Sequence, residues 1–151
     1  MIDRPGSASL PGRRETQIFR NCDEELRRMS EWFRCFAAES GFSEEKALDI
    51  ELCLNEMFTN INHYAHQDSR VEHEIRLTLA REGRRLEAVI EDDGRPFNPV
   101  EAPAPVFPES LADAKIGGWG IPIVRALADE VHYERRDGRN RLVIVATDSK
   151  S

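Results

Sequence analysis

Glu56 and Asn60 stand four residues apart in a segment whose apolar residues, Ala47, Ile50, Leu54, Phe58 and Ile61, recur at helical spacing. Both side chains therefore project from one helix face, one turn from each other, and His63 extends that face. Glu56 lies close to the apolar stripe, where a carboxylate is costly unless it is paired or has a task. The pair reads either as the polar edge of an amphipathic helix or as a general base beside an oxygen donor for Mg2+. A second segment, Ile90-Glu91-Asp92-Asp93-Gly94, ends a strand. Asp92 could accept a hydrogen bond from a ligand amine while Gly94 lets backbone approach a ring. Asp and Gly are also the favoured residues of a plain β-turn. The third segment, Gly117-Gly118-Trp119-Gly120, runs into a helix. It is either an anion site made of exposed N–H groups and a helix dipole, or a hinge before a helix start.

The elements that must position these groups can be read from periodicity. Residues 1–14 combine Pro, Gly, Ser and charge without a repeat and are expected to form a disordered tail ahead of one domain over residues 15–148. A short strand is expected over Thr16 to Arg20, then a helix from about Asp23 with Leu26, Met29, Phe33 and Phe36 on its buried stripe. Trp32 falls off that stripe and reads as an exposed aromatic suited to an interface. Ser43 with Glu44 and Glu45 starts a second helix that should reach about Tyr64. Ile75, Leu77 and Leu79, a turn at Glu82-Gly83, and Leu86, Ala88 and Ile90 make an antiparallel hairpin. Arg95 to Ile116 holds five of the eight prolines; a loop of about 20 residues either argues against these assignments or is a functional lid. A helix follows Gly120, with Pro122 tolerated in its first turn. A last hairpin, Val131 to Arg136 and Arg141 to Thr147, turns at Asp137-Gly138, and its apolar run LVIVA predicts a central strand covered on both faces. Helices set apart from an antiparallel sheet give an α+β two-layer sandwich, mostly antiparallel, with helices on one face.

Composition narrows the function. A chain of 151 residues, 40% apolar, can build a core without a metal or disulfide. With 21 basic against 28 acidic residues, the net charge of −7 argues against general duplex binding, so any anion must be held locally. No run of 18 apolar residues and no signal-peptide core occurs, and a soluble, cytoplasmic protein is expected. Cys22, Cys35 and Cys53 lack CxxC spacing and read as small core residues.

The order Glu-x-x-x-Asn on a helix, Asp-x-Gly after a strand, a long Pro-rich segment, then Gly-Gly-x-Gly at a helix start resembles the GHKL ATPases of the Bergerat fold. Within them the chain looks most like the small anti-sigma factor serine kinases over residues 16–147. The likeness includes Asp92-Asp93-Gly94-Arg95-Pro96-Phe97-Asn98-Pro99 and residues 120–129, GIPIVRALAD. It implies ATP and Mg2+ as cofactors, with Asn60 a metal ligand and Glu56 the base for the attacking hydroxyl. It further implies that Asp92 accepts from the adenine amine with Gly94 against the base, that Gly117, Gly118 and Gly120 cradle phosphates, and that Lys115 contacts the terminal phosphate. The small kinases often carry His four residues after the Asn; here Tyr64 stands there, and His63 either reaches a phosphate or is a solvated helix-end residue. The implied function is a serine/threonine-protein kinase and anti-sigma factor. It would bind a sigma factor and phosphorylate a STAS-domain anti-anti-sigma protein, with no direct nucleic acid or membrane contact and with a homodimer left open. The alternative is a non-catalytic nucleotide-binding switch that controls a regulatory partner. A sensor histidine kinase is not expected, since His63, His66, His73 and His132 all follow the Asn-bearing segment. Nor is a gyrase-like ATPase, which needs a following domain.

Overall fold

A computed structural model describes residues 12–62, 73–94, 96 and 120–148. In chain order these form β1 (Arg13–Arg20), α1 (Asp23–Glu39), α2 (Glu44–Asn60), β2 (Glu74–Glu82), β3 (Arg85–Asp92), α3 (Gly120–Leu127), β4 (Glu130–Arg136) and β5 (Arg139–Thr147). The strands make one sheet in the order β1-β2-β3-β5-β4, antiparallel at every step. The α+β sandwich read from the sequence is the observed class.

Local chemistry sets the helix ends. Asp23, Glu24 and Glu25 place negative charge in the first turn of α1, against the positive end of its dipole. The helix stops in a Schellman turn: Gly41 N–H donates to Ala38 O and Phe42 N–H to Ala37 O, at a Gly41 φ of 71°. In α2 the Ser43 hydroxyl accepts from Lys46 N–H at 3.2 Å, the capping bond expected of Ser. Arg34 then ties α1 to α2 through two bonds to Glu51, of 2.8 and 2.7 Å.

Alternation along the strands puts Phe19, Ile75, Leu77, Leu79, Leu86, Ala88, Ile90, Leu142, Ile144 and Ala146 into one core with Phe33, Phe36, Leu54 and Phe58 of the helices. The opposite sheet face carries a small cluster of Val89, Val143 and Val145. The β4–β5 turn has Asp137 at φ 52° and Gly138 at φ 75°, the left-handed pair that a two-residue hairpin requires. That turn sets Arg136 opposite Arg139 and Arg135 opposite Asn140.

Several expectations need correction. β1 begins at Arg13, because residues 13–16 find partners in β2 from Arg81 to Thr78, so the strand takes in the last residues assigned to the tail. Trp32 is not an exposed anchor: it packs on the core 5.7 Å from Phe19, and its indole N–H donates to Glu15 at 3.1 Å. Only Cys53 is a core cysteine, while Cys22 and Cys35 are exposed. β5 is an interior strand with Leu142 to Ala146 all buried, as its apolar run implied, but it lies next to the edge strand β4 and starts at Arg139, two residues before the expected Arg141.

The burial pattern of α2 yields a direct test. Leu54 is 0% exposed, so Leu54→Ala should lower unfolding free energy by about 2–5 kcal/mol. Leu48, on the same helix and 65% exposed, should lose no more than about 0.5 kcal/mol when changed to Ala. Urea denaturation of the two variants measures both.

Candidate functional site

Elements that carry chemistry-bearing residues converge on one end of the sandwich, where α2 and β3 finish and α1, β2 and β5 begin. A run of contacts marks this end. Asn62, just past α2, donates to Asp23 at 3.3 Å; Asn21 and His73 exchange hydrogen bonds of 3.0 and 3.2 Å; and His73 Nδ1 lies 3.0 Å from Asp93 Oδ1. α3 approaches the same region. Lys46 in the first turn of α2 sits 3.4 Å from Asp129, just beyond α3. The packed pair α2 and α3 therefore run in opposite senses, and the start of α3 at Gly120 is turned toward the C-terminal half of α2.

Asn60 closes α2 and is 2% exposed. Its Nδ2 lies 4.0 Å from Met57 Sδ, and its Oδ1 is buried without a hydrogen-bond partner among the described residues. An orphaned amide oxygen costs about 1–3 kcal/mol, a penalty relieved when something binds it. A hard oxygen of this kind fits Mg2+, which takes few protein ligands and fills its remaining positions with water and phosphate oxygens. The described residues hold no group of three or more His, Cys, Asp or Glu able to bind a metal, so a fully protein-built metal centre has no support among them. Glu56, one turn earlier, is half-buried and makes no hydrogen bond or ion pair with the described residues. Its carboxylate is thus available to a proton donor. Cys53 nearby is no nucleophile: burial first, then the charges of Asp49 and Glu56, push its thiol up to about 12.

Asp92 ends β3 and is also 2% exposed. Asn140, its cross-strand neighbour on β5, donates from Nδ2 to both carboxylate oxygens at 3.1 and 3.2 Å. The Asn140 Oδ1 in turn accepts from the Tyr133 hydroxyl at 2.6 Å and from Arg135 Nη1 at 3.2 Å. Arg135 Nη1 also reaches Gly94 O at 2.7 Å. Burial raises the Asp92 pKa above the ordinary carboxylate value, and the adjacent Asp93 charge adds to this. The Asn140 donor, the Gly94 N–H and the Arg135 charge pull the other way. Such a carboxylate is poised to accept a hydrogen bond in a dry setting, where it is worth more than in water.

Of the residues singled out in the sequence, Glu56 and Asn60 share a helix end, Asp92 and Gly94 lie at the same end of the sandwich, and Gly120 starts α3. His63, Lys115, Gly117 and Gly118 lie outside the described residues, as does the expected lid over residues 95–116 apart from Pro96. Sequence reasoning missed Asn140, Tyr133 and Arg135. The Asp137-Gly138 turn could have placed Arg135 opposite Asn140, but starting the strand at Arg141 left Asn140 in the turn.

A family model described as a histidine kinase-like ATPase domain matches residues 19–146. The chain is 30% identical over 115 residues to the serine/threonine-protein kinase BtrW of Bordetella bronchiseptica, an alignment spanning 76% of this chain and 80% of that protein. It is 27% identical over 106 residues to the serine-protein kinase RsbW of Bacillus licheniformis, covering 68% of this chain and 66% of that one. In three dimensions it is similar to the RsbU and RsbW domains of a Mycobacterium tuberculosis protein, with a TM-score of 0.67 at 16% identity. That match covers 92% of this chain but 33% of the longer chain, and at such low identity it speaks for the fold alone. No helix among the described residues is long and apolar enough to cross a membrane.

The raised Asp92 pKa has a stability consequence with a definite sign. Native protein binds this proton more tightly than unfolded chain, so the contribution of Asp92 is most favourable below the unfolded value of about 4 and is lost as pH rises through the native value. Asp92→Asn removes the buried charge. The variant should be more stable than wild type at pH 7 in the absence of ligand, with the advantage vanishing near pH 4 and below. Urea denaturation at the two pH values checks it.

Proposed function

The chain belongs to the histidine kinase-like ATPase domain family, and from that premise we propose that it is an ATP-dependent serine/threonine-protein kinase of the anti-sigma type. The observation that carries the reading is the pairing of an acceptor-only carboxylate at Asp92 with an orphaned hard oxygen at Asn60, both buried at one end of the sandwich. The first matches the exocyclic amine of adenine; the second matches the cation that accompanies the phosphates. The names of the two curated relatives, both protein kinases, support the same activity.

In this reading Asp92 accepts from the adenine amine, Gly94 lies against the ring, and Asn60 Oδ1 holds Mg2+. A cation held by Asn60 would neutralise charge on the phosphates. Glu56 takes the proton from a serine or threonine hydroxyl as its oxygen bonds to the γ-phosphorus. The bond from that phosphorus to the β–γ bridging oxygen breaks, and ADP leaves. Gly120 at the start of α3, with Gly117 and Gly118 before it, supplies backbone N–H groups for the phosphates. Lys115 and His63 are the further phosphate contacts of the proposal. The protein substrate is a STAS-domain anti-anti-sigma protein, the sequestered partner is a sigma factor, and the setting is the cytoplasm, where ATP is abundant.

Two variants test the roles. Glu56→Ala should keep most of its Mg-ATP affinity but lose phosphoryl transfer to a STAS-type partner by about 10²–10⁴-fold, the usual contribution of a positioned base. Asn60→Ala should lose both Mg-dependent binding and transfer. Labelled ATP with purified partner, beside calorimetry, separates the two; normal transfer by Glu56→Ala would move the base elsewhere.

A further inference from the structure

A row of side chains crosses three strands at the base of the candidate site: Asp92 on β3, Asn140 on β5 and Arg135 on β4, with Tyr133 two residues along β4 on the same face. A side-chain amide can present either its oxygen or its nitrogen to a neighbour, and the two ends do opposite things to a carboxylate. Here two donors, the Tyr133 hydroxyl at 2.6 Å and Arg135 Nη1 at 3.2 Å, converge on the Asn140 oxygen. The guanidinium has only donors and cannot pair with an amide N–H. Turning the amide over would lose these bonds and set its oxygen against the Asp92 oxygens, which now lie 3.1 and 3.2 Å from the nitrogen.

We propose that Tyr133 and Arg135 are positioning residues that lock the Asn140 amide with its N–H group toward Asp92, and that this lock makes the pocket select a 6-amino over a 6-oxo purine. The inference rests on the reading of Asp92 as the base acceptor and extends it to the source of its selectivity. With the lock in place, Asp92 receives a donor from the protein and remains an ionised acceptor. It bonds an exocyclic amine and repels a carbonyl oxygen. With the amide turned over, Asp92 loses that donor and faces an amide oxygen, so the ionised carboxylate is disfavoured and its preference for an amine over a carbonyl weakens. Arg135 adds a second hold, because its bond to Gly94 O at 2.7 Å pins the residue whose N–H donates to the same carboxylate.

Calorimetric titration of the full chain with ATP and with ITP, at one fixed pH, measures the selectivity as a ratio of affinities. Tyr133→Phe and Arg135→Gln should each lower the ATP-to-ITP ratio by about three- to tenfold, the value of one hydrogen bond. A rotatable hydroxyl needs no lock, so in an Asn140→Ser background Tyr133→Phe should leave the ratio unchanged. The inference is overturned if Tyr133→Phe and Arg135→Gln keep the wild-type ratio, or weaken both nucleotides equally as a general structural loss would, while Asp92→Asn abolishes the preference. If wild type shows no preference, or Asp92→Asn retains it, the reading of Asp92 fails and the inference falls with it.

Discussion

Taking a carboxylate out of water costs several kcal/mol unless bonds and charges replace the lost solvent. Asp92, 2% exposed, is supplied with an amide donor, a backbone N–H and a nearby guanidinium, yet burial still raises its pKa. The surrounding architecture follows from that requirement. Three adjacent strands must be held in one register for Asp92, Asn140 and Arg135 to line up, and the two-residue Asp137-Gly138 turn holds the outer pair. The helix-covered core beneath, from Ile90 to Leu142, keeps water away from Asp92 and Asn140, while Arg135 reaches in from the exposed side.

The end of α2 faces the same constraint from the other side. Asn60 carries a buried oxygen that none of the described residues satisfies, one turn beyond a half-buried glutamate. A fold stabilised only by its own contacts would gain by making both groups apolar or by pairing them. Concentrating two such costs at one end of a sandwich, while Leu54, Phe58 and Ile90 pack densely elsewhere, is the pattern of a site that recovers the energy when a ligand arrives.

What was legible in the sequence was whatever depends on local period and local chemistry. Helical spacing located α1 and α2, Ser43 announced its own capping bond, and Asp137-Gly138 announced a hairpin. Glu56, Asn60 and Asp92 were legible as candidates because each breaks an apolar pattern at a spacing that suits chemistry. Trp32 was misread because a helical wheel shows only where a side chain leaves the helix. It does not show that β1 would rise beside it and offer Glu15. The Asn140 network was hidden for the same reason: pairing Asp92 with Asn140 depends on the register of strands 48 residues apart in the chain. Cys22 and Cys35 are exposed because they sit on faces that composition alone cannot assign.

The central claim is that the buried polar groups at this end of the sandwich receive Mg-ATP. Amide and methyl NMR during titration with Mg2+ and a non-hydrolysable ATP analogue tests it at the atoms concerned. The account predicts that the Nδ2 resonances of Asn60 and Asn140 shift together and saturably, with the Gly94 backbone amide, while the methyl resonances of Val143 and Val145 on the opposite sheet face stay in place. Silent Asn60 and Asn140 amides at saturation, with the changes gathered on the opposite face of the sheet, would contradict it.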